Sequence, residues 1–301
     1  MATYLVNTGM LNVRHTPDSR DDTNIVHRIS WHTLVERISS SIADWWEIRF
    51  LAGSNTVQGY VRAKYLILAD NSPSSEFQVA AVDFPPNPQA NLDSKRMMYR
   101  PMGDSSIPRR DLGSPDSKKV SIGNLIDKLN VSKSMRYART PAYTFCNIYA
   151  YDFCHFCGTY LPRVWWSGKS LEQLAKGQSV EVLYGITVFE QNANALHNWL
   201  LDWGAQFGWM SINDVDTLQH KINAEGGVGI ICARRTDLKR SGHITVVVPE
   251  TAMQKAYREN GKVKYPLQSQ AGAFNFNYFS RGKSAWWLGS QFSSFVFFYH
   301  D

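Results

Sequence analysis

A cysteine and a histidine in this 301-residue chain stand where they could act as a nucleophile and its base. Cys146 lies in the stretch TFCNIYAYDFCHFCG, residues 144–158, which predicts a helix that opens on Cys146, with Thr144 as a usable N-cap and Gly158 as its stop. A thiol in the first turn of a helix lies at the positive end of the helix dipole, which lowers its pKa and favours the thiolate. The structural alternative is a small cysteine buried in the core.

The predicted base is His243, which follows Gly242 and opens the β-branched strand 243–248. A glycine before the histidine is expected to leave access to its ring. His155 is too far away, because nine helical residues separate it from Cys146 by about 13 Å along the axis. The remaining histidines are assigned to other places: the N-terminal strands hold His15, His27 and His32, the helix surfaces hold His197 and His220, and the chain end holds His300.

A base of this kind needs a polar group that holds its tautomer. The next strand, 262–270, offers Gln270 and Gln268 on one face by strand alternation. We favour Gln270 and place Gln268 second. Glu250 is a rival, but it lies about 20 Å from His243 if the chain between them is extended.

Substrate contacts are predicted around the start of the Cys146 helix. The backbone N–H of Cys146 is expected to form an oxyanion hole with a second donor from Tyr143 or Asn147. Trp165 and Trp166 could wall the cleft, and they could equally fill the core. Asp152 is read as a structural acceptor that holds a loop.

The order of elements predicts an α+β fold in the second part of the chain. Helical periodicity comes first and strand patterns follow. Helices are predicted at 121–137, from Cys146 to the stop at Gly158, and at 170–176, 193–203 and 214–223, and strands at 229–233, 243–248, 262–270 and 294–299. Before them, evenly spaced short strands in residues 1–69 predict a small barrel, and the Ser- and Pro-rich residues 70–120 predict a linker.

The first quarter of the chain resembles the bacterial SH3-like domain. The matching pieces are the strand 11–14 (Leu-Asn-Val-Arg), Pro17 in a loop, the strand 45–49 (Trp-Trp-Glu-Ile-Arg) and the closing 59–61 (Gly-Tyr-Val). Such domains commonly attach enzymes to cell-wall peptide, so the resemblance implies targeting.

Residues 121–301 resemble the NlpC/CHAP superfamily of papain-like cell-wall cysteine peptidases and amidases. The resemblance rests on Cys146-Asn147 and on the run Gly-His-Ile-Thr-Val-Val-Val at 242–248. It implies hydrolysis of amide bonds in peptidoglycan stem peptides through an acyl-enzyme on Cys146. Cys146 and His243 lie 97 residues apart, a separation that implies a helical insertion around 165–225.

Composition limits the other partners. Net charge of +6 suits an anionic polymer such as cell wall, and no basic run is dense enough to indicate nucleic acid. We expect no metal or other cofactor, since Cys154 and Cys157 lack a second ligand pair and no P-loop, dinucleotide or H-E-x-x-H motif is present. No membrane span and no signal peptide are predicted, so the chain would be made in the cytoplasm and reach the wall after export or lysis.

The leading functional hypothesis is therefore a cell-wall amidase or endopeptidase, such as a lysin or an antibacterial effector, whose export or immunity partner is unknown. A papain-like acyltransferase, a protease for a protein substrate and a non-enzymatic wall-binding protein are the alternatives.

Overall fold

The computed structural model describes residues 2–6, 10–30, 33–39, 42, 44–52, 55–69, 78–86, 99–281 and 285–301. These residues form two compact units, one of residues 1–80 with 166–189 and one of residues 81–165 with 190–301. Residues 166–189 thus cluster with the N-terminal strands, although the sequence places them within the second predicted domain.

Five α-helices and seventeen strands are formed by the described residues. The helices are α1 (Pro115–Leu129), α2 (Cys146–Phe156), α3 (Gly168–Ala175), α4 (Ala193–Asp202) and α5 (Val215–Glu225). The first nine strands are β1 (Thr3–Val6), β2 (Met10–Arg14), β3 (Ile25–Ser30), β4 (Leu34–Arg37), β5 (Trp45–Ala52), β6 (Asn55–Arg62), β7 (Leu66–Leu68), β8 (Val164–Trp166) and β9 (Val188–Glu190). The others are β10 (Met210–Ile212), β11 (Val228–Arg235), β12 (His243–Val247), β13 (Tyr257–Glu259), β14 (Lys262–Tyr265), β15 (Gln268–Gln270), β16 (Phe276–Phe279) and β17 (Phe292–His300).

The first unit contains a seven-stranded antiparallel sheet in the order β3-β2-β6-β5-β4-β1-β7. Its strands were predicted from the sequence, but the barrel was not confirmed, since no pairing between β3 and β7 closes the sheet within the described residues. The inward residues pack into one apolar core, formed by Val6, Leu11, Val13, Ile29, Val35, Ile48, Phe50, Val61 and Leu66.

Gly59, in the Gly-Tyr-Val stretch, is required by the close approach of β6 to β2. A Cβ at this position would lie 2.7 Å from the carbonyl oxygen of Arg14 and 2.8 Å from a methyl carbon of Val13. Atoms that close overlap, so any side chain here would push the two strands apart.

The predicted linker is only partly described, because residues 70–77 and 87–98 lie outside the described ranges. The described residues 78–86 and 99–114 contain no α-helix and no strand. The helix expected at 121–137 begins earlier, at Pro115, where the Ser114 hydroxyl caps it by accepting from Ser117 N–H. It ends at Leu129, because Asn130 adopts the left-handed conformation with φ of 43°.

The second unit is a mixture of helices and antiparallel strands, as the α+β prediction requires. Its main sheet has six strands in the order β10-β17-β11-β12-β15-β16. Helix α2 packs against β12 and β15, and the hydroxyl groups of Tyr149 and Ser269 join α2 to β15 over 2.5 Å. The sheet thereby holds the helix that carries Cys146 against the strand that begins with His243.

Asp152 fixes the other side of α2. Its carboxylate accepts from Arg136 over 2.6 and 3.0 Å and from the hydroxyl of Tyr137 over 3.0 Å, and all three side chains are fully buried. Arg136 and Tyr137 belong to a short 3₁₀ turn, Met135–Tyr137. Asp152 thus holds a turn in place, in the structural role expected from the sequence.

Among the described residues, no helix has the length and apolar character that crossing a membrane would need.

Candidate active site

Cys146 is the first residue of α2, and Phe145 occupies the N-cap position without a side-chain capping bond. The prediction that Thr144 caps this helix was therefore wrong. Phe145 is buried and Thr144 is exposed, so the buried phenylalanine and not the threonine occupies the capping position. Gly158 follows the helix with φ of +72°, a conformation that favours glycine and ends the helix as predicted.

His243 is the first residue of β12, between β11 and β15 in the centre of the sheet. The preceding Gly242 does not provide the open access that the sequence suggested. A Cβ at Gly242 would overlap the carbonyl oxygen of Ala233 and lie 2.6 Å from the Asn194 side-chain oxygen. The glycine therefore permits tight packing of the turn into β12.

The side chains of Cys146 and His243 lie close enough for each to shift the pKa of the other, so the structure brings together the two residues that the sequence paired. Burial raises the pKa of the Cys146 thiol, but the charge of His243 and the bond to it, with the N–H groups of Ile244 and Asn147, lower that pKa below its ordinary value. Burial lowers the pKa of His243, but the charge of Cys146, the bond to it and a bond to Gln270 raise it above its ordinary value. The two shifts together favour a thiolate–imidazolium pair.

Gln270 contacts the opposite side of the imidazole. Its Oε1 lies 2.7 Å from Nε2 of His243, and because a carbonyl oxygen only accepts, Nε2 carries the proton. Nδ1 is then the ring nitrogen left to face the thiol. The Gln270 Nε2 donates to the carbonyl of Phe274 over 3.2 Å, which fixes the orientation of the amide.

Gln268, the second choice from the sequence, is fully buried and makes different contacts. Its Oε1 accepts from the hydroxyl of Thr245 at 3.1 Å and from the indole N–H of Trp286 at 3.0 Å. The third candidate, Glu250, is engaged by Arg258 at 2.7 and 2.9 Å. Of the three candidates, Gln270 has the hydrogen bond to His243.

Trp286 is a site residue that sequence reasoning missed. Its ring packs edge-on against the imidazole of His243, with ring centroids 4.5 Å apart at 76°. The aromatic pair Trp286-Trp287 is visible in the sequence, but only the fold places its first ring on the histidine. Trp287 is buried in the core beneath the sheet.

The four residues predicted to contact substrate differ in exposure. Tyr143 is 70% exposed before α2, whereas Trp165 and Trp166 are only 5% and 8% exposed, so they offer little surface to a ligand. The Asn147 amide donates to the carbonyl of Gln191 over 3.0 Å. Cys146 itself is 2% exposed, with the partly exposed rings of His243 and Trp286 nearby.

The other three cysteines are buried and have pKa values above the ordinary range. Burial is the main cause for each of them: Cys154, Cys157 and Cys232. Cys146 thus differs from them in the direction of its pKa shift. In the described ranges, no three His, Cys, Asp or Glu side chains are grouped so that they could hold a metal ion.

His197 is buried, and the expectation that it lies on a solvated helix face was wrong. It is 3% exposed, and its Nε2 lies 3.1 Å from the hydroxyl of Ser294 on β17. Burial lowers its pKa to about 4, so the ring is neutral at neutral pH. His220 is exposed, as expected.

No protein-family model matches this chain, and no curated protein matches it. Among solved structures, a chain described as NlpC2 from Trichomonas vaginalis aligns with 99% of this chain and 72% of its own length. The sequence identity is 10% and the TM-score is 0.25. A TM-score this low establishes neither a shared fold nor a shared function.

Proposed function

We propose that this chain is a papain-like cysteine hydrolase of the NlpC/CHAP type that cleaves amide bonds in peptidoglycan stem peptides. The observation that carries the proposal is the series Cys146–His243–Gln270, in which the thiol and the imidazole interact and the imidazole is hydrogen-bonded to Gln270. A nucleophile, a base and a polar group that orients the base are the three parts that acyl transfer on a cysteine requires.

In the first half-reaction, the Cys146 thiolate attacks the amide carbonyl carbon and a carbon–sulfur bond forms. The imidazolium of His243 gives its proton to the leaving nitrogen, so the carbon–nitrogen bond breaks and a free amine departs. Water then attacks the thioester while His243 accepts its proton. The carbon–sulfur bond breaks, the acid is released and the thiolate–imidazolium pair is restored.

The start of α2 supplies the charge stabilisation that this reaction needs. N–H groups in the first turn of a helix have no carbonyl partner within the helix, and the helix dipole is positive at that end. The backbone N–H of Cys146 is one such group and is assigned to the developing oxyanion. Tyr143, exposed just before the helix, is assigned to substrate contact, and Asn147 holds the adjacent chain through Gln191.

Peptidoglycan is proposed as the substrate because of the N-terminal strands. The strands 11–14, 45–49 and 59–61 have the bacterial SH3-like pattern in the chain order of that domain. The net charge of +6 favours an anionic polymer. The proposed role of residues 1–69 is therefore attachment to the wall, in an autolysin, a lysin or an exported antibacterial effector.

The test is the release of free amines from purified peptidoglycan by the wild type, Cys146→Ala and Cys154→Ala. Both variants remove a buried thiol from α2, so Cys154→Ala controls for the loss of packing. The wild type and Cys154→Ala are expected to release amines, and Cys146→Ala is expected to be slower by a factor of about 10³ or more. Equal release by Cys146→Ala and the wild type would contradict the proposal.

Product masses separate hydrolysis from acyl transfer. Hydrolysis adds one water to each cleaved stem peptide, whereas an acyltransferase joins the acyl group to a second amine. Masses that correspond only to joined peptides would replace the hydrolase proposal with the transferase alternative.

A further inference from the structure

A second positively charged group lies beside the proposed site. Arg235 ends β11, and its Nε donates to the carbonyl of Ser241 over 3.1 Å. Ser241 precedes His243 by two residues, so this bond joins the arginine to the turn that leads into the histidine strand. The guanidinium carbon also lies 5.0 Å from the ring centroid of Phe292.

Strand pairing places Arg235 on the same face of the sheet as His243. Ala233 of β11 pairs directly with His243 of β12, and Arg235 is two residues beyond Ala233. Directly paired residues share a face, and so do residues two apart on one strand. The pairing of β11 with β17 has an irregularity between Arg234 and Arg235, so the placement of Arg235 on the side of His243 also needs the ring contacts described next.

Two aromatic rings connect the guanidinium to the imidazole. Arg235 stacks on Phe292, the rings of Phe292 and Trp286 have centroids 5.6 Å apart, and Trp286 lies 4.5 Å from His243. All four side chains are partly exposed. Together they form a continuous strip at the surface from His243, the proposed base, to the guanidinium of Arg235.

The outer nitrogens of Arg235 have no hydrogen-bond partner among the described residues. Within the described part of the chain, the guanidinium makes no ion pair, and Nε is its one hydrogen-bonding nitrogen. Burial and the like charge of Arg240 lower the pKa of Arg235, and the carboxylate of Asp237 opposes them, so charges of both signs surround the guanidinium. A guanidinium held by its Nε and by a ring needs little further ordering to bind a carboxylate through both Nη groups.

We propose that Arg235 is a specificity-determining residue that binds a carboxylate of the acyl donor close to the scissile amide. The site would then prefer stem peptides with a free carboxylate over the same peptides with that group amidated. This inference rests on the proposed hydrolase function and names the substrate class for it. A guanidinium that is merely solvated would give no such preference.

The first test uses Cys146 itself and needs no natural substrate. Iodoacetate carries a negative carboxylate where iodoacetamide carries a neutral amide, and both reagents alkylate the sulfur of Cys146. The measured quantity is the rate of Cys146 alkylation by iodoacetate divided by the rate by iodoacetamide, followed by peptide mass. This ratio is expected to fall about threefold in Arg235→Gln, because one positive charge is removed from the edge of a partly exposed site. Arg235→Lys is expected to keep the ratio, and so is Lys239→Gln, which removes an exposed charge from the same loop.

The second test uses synthetic stem peptides in which each carboxylate in turn is replaced by a carboxamide. In the wild type, one such replacement is expected to lower kcat/KM roughly tenfold or more, because a bidentate bond to a charged group is lost. In Arg235→Gln that preference should disappear, and in Arg235→Lys it should be reduced.

The outcomes separate this inference from the function on which it rests. If Cys146 is alkylated and Arg235→Gln leaves both the reagent ratio and the peptide preference unchanged, the inference is wrong and the hydrolase proposal stands. If neither reagent modifies Cys146, the hydrolase proposal fails and the inference fails with it. If the peptides are not cleaved, the reagent ratio still decides whether Arg235 attracts an anion to the sulfur.

Discussion

Replacement of Gln270 tests how the thiolate–imidazolium pair is held. Gln270 Oε1 lies 2.7 Å from Nε2 of His243, and Gln270→Ala removes this acceptor. A hydrogen bond to a charged group contributes about 1.5–3 kcal/mol, so the pair should become about 10- to 150-fold less favoured. The pKa of Cys146 is lowered and the pKa of His243 is raised, so both shifts favour the pair, whose pH range is bounded by these two pKa values. Loss of the acceptor lowers the pKa of His243, which is the alkaline limit of the thiolate–imidazolium pair. The pair should therefore persist over a narrower pH range.

The assay is the rate of Cys146 alkylation by iodoacetamide as a function of pH. In Gln270→Ala, the alkaline limit of the thiolate–imidazolium form should move to lower pH. In Gln270→Glu, a carboxylate partner should move it to higher pH. Gln254→Ala, at an exposed glutamine of the same unit, is the control. Identical pH profiles for Gln270→Ala and the wild type would refute the assigned role of Gln270.

Three further predictions concern stability. Asp152→Asn breaks a fully buried ion pair with Arg136 and should lower the free energy of unfolding by about 3–5 kcal/mol in urea titrations; a loss below 1 kcal/mol would contradict this. Burial lowers the pKa of His197 from 6.5 to about 4. The contribution of the neutral buried ring to the free energy of unfolding is therefore fully present above pH 6.5 and is lost as pH falls toward 4. His197→Gln should therefore reduce the acid sensitivity of unfolding by an amount on the order of 3 kcal/mol, and an unchanged pH dependence would argue against a buried neutral ring. Gly59→Ala should lower the melting temperature of the N-terminal sheet, because its Cβ would overlap Arg14; an unchanged melting temperature would show that β2 and β6 can separate at no cost.

The central residues of the site could be predicted because each stands at the beginning or end of a regular element. Helical and strand periodicity located the starts of α2 and β12, strand alternation on the neighbouring strand offered Gln268 and Gln270, and the position of Gln270 at the glycine-side end of that strand favoured it. These are local patterns in the chain. In the structure β12 pairs with β15, with Val247 opposite Gln268, and the Gln270 side chain reaches His243 over 2.7 Å.

Other features depend on contacts between distant parts of the chain and could not be predicted in this way. The strand expected at 262–270 is two strands in two sheets, β14 and β15, separated at Pro266, which has no backbone N–H to pair. The burial of His197 depends on β17, almost one hundred residues later, whose Ser294 lies against its ring. The contact of Trp286 with His243 likewise needs the folded sheet.

The start of α2 shows how packing overrides a local signal. The helix opens on Cys146 as predicted, but the N-cap is the buried Phe145 and not Thr144, a good capping residue by type. This start makes Cys146 the first residue of the helix, where the dipole acts most strongly on the thiol.

The central claim is that Cys146 is a thiolate because it is paired with the imidazolium of His243. Thiolates absorb in the far ultraviolet and thiols do not, so the difference in absorbance between the wild type and Cys146→Ser reports the ionisation of this one sulfur as a function of pH. The wild type should hold a thiolate well below the ordinary thiol pKa of 9.0, and His243→Ala should lose it over that range. A thiolate that appears only above pH 9.0, or an identical titration in His243→Ala, would contradict the account.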